Sequence, residues 1–315
     1  MADESSDPND QQSQGGAGGT AGDTGQGGGT AGGAGEVLES PQPLRIVSWN
    51  AHNVYDDKSG TCGGCQYEEV ETTADYNSKV NSVAGTLKTL AGDVVFLQEI
   101  ENMSVLDKLA ATGSLASLNY QYRYLIPGND PRGINIAFMN RYPVDGVATH
   151  KNDQFTKYGA GTIYRYTRDA LEVHMTYRGK RLVLFGVHFK AKLDPDDPDR
   201  RLAEAQHTRA LADAAQANDP YAYIWITGDF NDDVGTDPYK AVAAGKNGPV
   251  FADVLLNLPA SDRWSYKYDG DKMLIDHMFA SPAANARLQS GTVKIMHDTG
   301  VNSDHDPVAA TFMVP

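Results

Sequence analysis

Residues 223–232 read Tyr-Ile-Trp-Ile-Thr-Gly-Asp-Phe-Asn-Asp. The run Tyr223–Thr227 is apolar or β-branched throughout and predicts a buried strand. It closes on Gly228, Asp229, Phe230 and Asn231. The same ending recurs along the chain. Leu44–Asn50 (LRIVSWN) ends in Asn50, and Asp93–Ile100 (DVVFLQEI) carries Glu99 at its end. His188 closes the run in Lys180–Phe189, while Asp276 and His277 sit inside Leu274–Ala280 (LIDHMFA). Asp304 and His305 immediately precede a final apolar run, Val308–Val314. A strand end at a sheet rim is rigid yet open to solvent, which suits reactive groups.

Working outward, further strands are expected at Tyr120–Ile126, Ile134–Asn140, Val144–Thr149, Trp264–Tyr268 and Thr292–Met296. Ala170–Tyr177 and Lys180–Phe189 flank an Arg178-Gly179 turn and predict a hairpin. Helices are expected from a cap at Asp75 to Ala91, over Met103–Leu118, and over Asp199–Ala217. Many strands interrupted by a few helices predict two packed sheets with helices outside.

The chain has 315 residues, 41 acidic and 27 basic, for a net charge of −14. Residues 15–35 hold 12 of the 32 glycines, and residues 1–44 contain seven acids and no Lys or Arg. Residues 1–43 therefore predict a flexible Gly/Thr/Ala-rich linker, since they bury too little apolar surface to offset ordering. Residues 44–315 then form one domain, with a net charge of −7 over residues 45–315. That balance argues against a protein that grips nucleic acid by charge alone. No apolar run approaches the ~20 residues of a membrane span, and two cysteines cannot build a disulfide scaffold. A monomer is the default expectation.

One carboxylate at a strand end is ordinarily a turn or cap residue. A set of Asn50, Glu99, Asp229, Asn231, Asp276, Asp304, His188 and His305 is not explained that way. Glu, Asp and Asn supply hard oxygen donors that select Mg²⁺, Mn²⁺ or Ca²⁺. Histidine protonates a leaving oxygen or donates to a phosphoryl oxygen, and a carboxylate near a metal orients water. Together these types describe hydrolysis of a phosphate ester.

The order SWN, LQEI, HFK, GDFND, IDHMFAS, SDHDPV resembles the endonuclease/exonuclease/phosphatase superfamily, the DNase I-like fold, over roughly Leu44 to Val314. The resemblance implies a four-layer α/β/β/α sandwich, with two mostly antiparallel sheets face to face and helices outside. It implies divalent-metal-dependent phosphoester cleavage, with Mg²⁺ expected and Mn²⁺ or Ca²⁺ as alternatives. By the same resemblance Asn50 and Glu99 match metal-binding residues, and Asp304 the carboxylate beside the metal. Asp229 matches the group that orients and activates water, and Asn231 the residue that orients it and the phosphate. His305 matches a phosphate contact, Asp276 its partner, and His188 the group that assists the leaving oxygen. Arg168 resembles an arginine that approaches a substrate phosphate. His277 should point to the opposite face from Asp276 and serve packing.

Leu97–Asn102 and Trp264–Gly270 followed by Ile275-Asp276-His277 are similar to secreted bacterial extracellular nucleases. Arg200, Arg201, Gln206 and Arg209 suit that branch, and their helix is expected to carry the arginines on a solvated face. The expected partner is nucleic acid, with small soluble phosphate esters as the alternative and a non-catalytic binding module ranked below both. The linker resembles spacers of exported bacterial domains, which predicts a secreted, periplasmic or cell-surface protein. A local disulfide between Cys62 and Cys65 fits that setting better than half a zinc site. Asp194, Asp196, Asp197 and Asp199 predict a solvated turn with a helix cap in preference to a Ca²⁺ site. Asp56 and Asp57 follow Asn50 closely enough to reach the rim. Tyr158, Tyr164 and Tyr166 are expected to cover a sheet.

Overall fold

The computed structural model describes residues 40–159, 161–192, 194–246, 248–300 and 303–315. Residues 1–39 of the expected linker lie outside them. The unit Ser40–Pro315 begins with strand β1 (Gln42–Val54), so the expected boundary at residue 43 falls inside that strand.

In chain order there follow α1 (Thr73–Leu90), β2 (Val94–Ile100), α2 (Met103–Ala110), β3 (Tyr122–Leu125), β4 (Asn135–Asn140) and β5 (Gly146–Thr149). Next come β6 (Phe155–Thr156), β7 (Ile163–Tyr164), β8 (Ala170–Tyr177), β9 (Lys180–His188), α3 (Asp197–Asn218), β10 (Tyr223–Asp229) and α4 (Asp237–Ala244). The chain closes with β11 (Ala252–Asp253), β12 (Tyr266–Tyr268), β13 (Asp271–Met273), β14 (Asp276–Ala280), α5 (Pro282–Asn285), β15 (Lys294–Ile295) and β16 (Val308–Val314).

Two six-stranded sheets form, in the orders β15-β16-β1-β2-β4-β3 and β11-β14-β10-β9-β8-β5. Each is antiparallel except for one central parallel pair, β1 with β2 and β9 with β10. The strands are apolar on both faces because both faces are covered. Along β1, Leu44 and Ile46 face the second sheet, while Val47 and Trp49 face helices α1 and α2. Along β10, Tyr223 and Trp225 enter the core between the sheets, while Ile224 and Ile226 pack under α3 and α4. The result is the expected four-layer sandwich. Gly186 marks where the sheets touch: a Cβ there would lie 2.2 Å from the Phe96 ring.

Several local expectations are corrected. The α1 cap is Thr72, whose Oγ1 accepts the Asp75 N–H at 3.2 Å, so Asp75 lies inside the first turn. Helix α2 stops at Ala110, and a 3₁₀ turn at Ala116–Leu118 takes the rest of the expected span. Helix α3 begins at Asp197, and Asp196 before it makes no side-chain cap. The arginines of α3 do not share a solvated face. Arg201 and Arg209 are buried, Arg201 against Asp232 at 2.8 Å and Arg209 against Asp213 at 2.8 Å and the Val242 and Ala243 carbonyls. Among the described residues no helix is long and apolar enough to cross a membrane.

Candidate active site

Sheet register assembles the site before any side chain is considered. Asp229 ends β10 directly opposite His188 on β9 and Asp276 on β14. Asn50 on β1 stands opposite Gln98 on β2, one residue before Glu99. Glu99 is a bulge with φ 66°, which turns its side chain out of the ladder. His52, Asn53 and Asn231 also have positive φ (53°, 50° and 52°). A non-glycine residue in that region costs about 1–3 kcal/mol, and such strain clusters at functional sites. Gly228 has φ 146°, and a Cβ there would lie 1.9 Å from the Val187 carbonyl oxygen. Only glycine allows the chain to place Asp229 so close to β9.

Loop 303–306 is tied to the same rim. The Trp49 indole N–H donates to the His305 carbonyl at 2.9 Å, and the Ser303 hydroxyl donates to the Asn50 carbonyl at 2.9 Å. Asn50, Glu99, Arg168, His188, Asp229, Asn231, Asp304 and His305 consequently line one cavity of about 820 Å³. Asp276 stands behind it, with its Oδ2 2.7 Å from His305 Nδ1. His277 points the other way, to Asp253 Oδ2 at 2.8 Å and the Asp232 carbonyl at 3.0 Å. Tyr158, Tyr164 and Tyr166 are absent from the cavity wall, as are Asp56 and Asp57. Asp56 instead accepts the Lys58 backbone N–H at 2.8 Å and the Asn102 side-chain amide, at the start of α2, at 3.0 Å.

Asp229 is the hub. Its Oδ1 accepts the Asn231 N–H at 2.7 Å, and its Oδ2 accepts the Asn50 amide at 3.0 Å. His188 Nε2 lies 3.3 Å and His305 Nε2 3.7 Å from that same Oδ2. Burial pushes the Asp229 carboxyl up to about 6; the charge on His305 pulls down and that on Asp276 pushes further up. Burial alone would lower His305, but the Asp276 and Asp229 charges outweigh it and raise the imidazole to about 10. His188 goes the opposite way, held well below its ordinary value by burial and by the charges of Arg168, His305 and Arg132. Near neutral pH the rim thus presents an imidazolium at His305 and a neutral imidazole at His188.

The donor set fits a hard cation. Glu99 Oε2 accepts the Asn53 N–H at 2.9 Å, and its Oε1 lies 3.4 Å from the Asn50 amide. The Asn53 Oδ1 is buried and meets no hydrogen-bond partner among the described residues. Glu99, Asn50 and Asp304 share the cavity wall with Asn53. Asp229, Asp276 and His305 also bring three donor atoms within 4.8 Å of one another. His305 is protonated toward Asp276 at 2.7 Å, with Asp229 3.7 Å from its other nitrogen, so that group is a histidine held between two carboxylates, and the Glu99 side is the better cation seat.

Three cations given no role from the sequence complete the wall. Arg132, Lys190 and Lys192 join Arg168 on it. Asp130 clamps both arginines: its Oδ1 accepts Arg132 Nε at 3.1 Å, and its Oδ2 accepts Arg132 Nη2 at 3.0 Å and Arg168 Nε at 2.9 Å. The Phe189 carbonyl accepts from both Arg168 Nη1, at 2.8 Å, and Asn231 Nδ2, at 3.0 Å. Buried Glu204 on α3 ties the Thr167 and Lys190 backbones together, each at 2.7 Å. Lys190 was legible as the last letter of HFK. Arg132 was not, since a turn residue gains its meaning only from Asp130 and the cavity. Cys62 and Cys65 form a disulfide. Its loop holds the Asp130–Arg132 turn, with the Gln66 and Tyr67 N–H groups donating to the Pro131 carbonyl at 2.8 and 3.0 Å.

The sequence profile of the Endonuclease/Exonuclease/phosphatase family matches residues 50–305. No curated protein matches the chain. Among solved structures, the human nocturnin catalytic domain with bound sulfate is similar at TM-score 0.63 and 15% identity, covering 87% of this chain and 95% of that one. Truncated Caenorhabditis elegans TDP2 is similar at TM-score 0.55 and 18% identity, covering 86% and 98%. D. rerio TDP2 complexed with a single-strand DNA product gives TM-score 0.53 and 17% identity, covering 86% and 98%. At these identities the likeness establishes the fold alone.

Proposed function

The chain belongs to the endonuclease/exonuclease/phosphatase family of metal-dependent phosphoric ester hydrolases, and from that premise we propose that it is a Mg²⁺-dependent nuclease acting on DNA outside the cytoplasm. The observation that carries the reading is the convergence of Asn50, His188 and His305 on the buried Asp229 Oδ2. A carboxylate raised to about 6 is a competent proton acceptor near neutral pH.

Water attacks phosphorus in line, oriented by Asp229, which takes its proton on Oδ2. His305 donates its Nε2 hydrogen to a phosphoryl oxygen, and Asp276 on Nδ1 fixes that orientation. Asn231 and Arg168, both anchored on the Phe189 carbonyl, hold the phosphate against the wall. His188, neutral, offers the leaving oxygen a hydrogen bond. Glu99, Asn50 and Asp304 would hold the divalent cation, which would supply positive charge against the charge that builds on the phosphoryl oxygens.

Four cationic side chains on the wall, Arg132, Arg168, Lys190 and Lys192, each held by a carboxylate, support an anionic substrate despite the acidic domain. D. rerio TDP2, with its single-strand DNA product, supports the nucleic-acid choice by analogy of fold. The disulfide supports an oxidising compartment. The test offers supercoiled plasmid and bis(p-nitrophenyl) phosphate to the protein with Mg²⁺ and with EDTA. Plasmid nicking that EDTA abolishes and Mg²⁺ or Mn²⁺ restores is the expected result. Turnover of the small diester with the plasmid left intact would replace the nuclease with a small-ester phosphodiesterase.

A further inference from the structure

The cavity has a second wall that the chemistry above does not use. The hairpin β12–β13 turns at Asp269 and Gly270, both at positive φ (46° and 92°), which suits a two-residue connection. Alternation along β12 puts Tyr266 and Tyr268 on one face and Lys267 on the other. Lys267 pairs across to Lys272, whose Nζ sits 4.1 Å over the Trp264 ring, away from the cavity. The two tyrosine rings lie within 8° of parallel, with centroids 6.5 Å apart. Both line the cavity that holds Asp229 and His305. The Tyr266 ring stands 4.9 Å from the His305 ring, and its backbone bridges to His305. Tyr268 is 67% exposed.

An exposed tyrosine on a three-residue hairpin stabilises no core, and rings held parallel next to a phosphate-binding histidine suit a planar group attached to that phosphate. We infer that Tyr266 and Tyr268 form a stacking subsite for an unpaired nucleobase beside the scissile phosphate, so that the substrate is the single-stranded part of a polynucleotide. The inference rests on the nuclease reading and narrows it. A base inside a duplex has both faces covered by its neighbours and cannot lie on these rings. An acyl chain would gain nothing from parallel aromatic planes or from the lysines and arginines opposite. Stacking is sequence-tolerant, because every base has a π-face, so the subsite selects the unpaired state without selecting a sequence.

The experiment measures kcat/KM with Mg²⁺ on a single-stranded oligonucleotide, on the same strand built from tetrahydrofuran abasic residues, and on the duplex. Wild type is expected to prefer bases over abasic residues by about 5- to 150-fold, the range that stacking of one base supplies, and single strand over duplex. Tyr268→Ala is expected to collapse the base preference to about one, and Tyr268→Trp to keep it. Tyr268 suits the test because it is exposed and touches neither Asp229 nor His305. Equal rates on base-containing and abasic strands, or an unchanged preference in Tyr268→Ala, overturns the subsite and leaves the nuclease standing. Turnover of bis(p-nitrophenyl) phosphate with no cleavage of any strand overturns the nuclease reading and the subsite with it.

Discussion

Replacing Asp130 by asparagine unclamps two arginines at once. The carboxylate is buried and receives Arg132 on both oxygens and Arg168 on one, at 2.9 to 3.1 Å. An amide of the same shape keeps one acceptor and turns an N–H₂ toward a guanidinium. Hydrogen bonds to charged groups contribute about 1.5–3 kcal/mol each. The Arg132 side chain is 38% exposed, so water screens and replaces part of its share. Arg168, 5% exposed, carries most of the loss. A net cost of about 3–4 kcal/mol follows, at the lower end for a broken buried pair. At about 2–4 °C per kcal/mol for a chain of this size, Asp130→Asn should melt about 6–16 °C below wild type.

Arg168 keeps its bond to the Phe189 carbonyl but loses the second tether, and kcat/KM on DNA should fall about 10- to 100-fold, as for a misplacement near 1 Å. The effect has a pH signature. Burial alone would raise the Asp130 carboxyl, but the hydrogen bond from Arg132 and the charges of Arg168 and Arg132 hold it below its ordinary value. A depressed carboxyl stabilises the fold above its unfolded pKa of about 3.9, and that stability is lost as pH falls through the lower folded value. Melting curves across acid and neutral pH should therefore show a constant gap near neutrality that closes in acid. Equal melting temperatures, or a gap unchanged down to the acid limit, would refute the clamp.

Gly228→Ala should fail to give soluble folded protein, since its Cβ would meet the Val187 carbonyl oxygen at 1.9 Å; a native circular dichroism spectrum would contradict this. His277→Gln should cost about 3–5 kcal/mol by leaving Asp253 buried and unpaired. Burial lowers His277, but Asp253 outweighs it and raises the pKa, so the stability is full below about 6.5 and fades as pH rises through the folded value. Urea titrations at several pH values would show the wild-type advantage shrinking in alkali. Replacing Cys62 and Cys65 together by serine should cost about 2 kcal/mol, the entropy of so short a loop, measured by the same titrations; no change would mean the Asp130–Arg132 turn holds without it.

The main strands and their polar ends were legible because a strand buried on both faces must be apolar until it reaches a rim. Asp229 is readable at the end of Tyr223–Thr227 for that reason, and Asn50 likewise after Leu44–Trp49. Sheet register then does what no local pattern encodes, setting His188, Asp229 and Asp276 side by side. The misread arginines show the limit. Arg201 and Arg209 have helical spacing like any exposed charge, and their partners Asp232 and Val242 lie 31 and 33 residues away. The α1 cap was misplaced because Thr72 and Asp75 each satisfy a capping rule. Hairpin β12–β13 was half seen: Trp264–Tyr268 was expected as a strand, but its partner Asp271–Met273 is too short and polar to announce itself.

The central claim is that Asp229 activates the attacking water. Asp229→Asn removes a buried charge at constant shape, so its melting temperature should equal or exceed that of wild type. With Mg²⁺ and supercoiled plasmid, its nicking rate should fall by about 10²- to 10⁴-fold, the contribution of a general base. A variant that folds as wild type and nicks at the wild-type rate would contradict the account at its core.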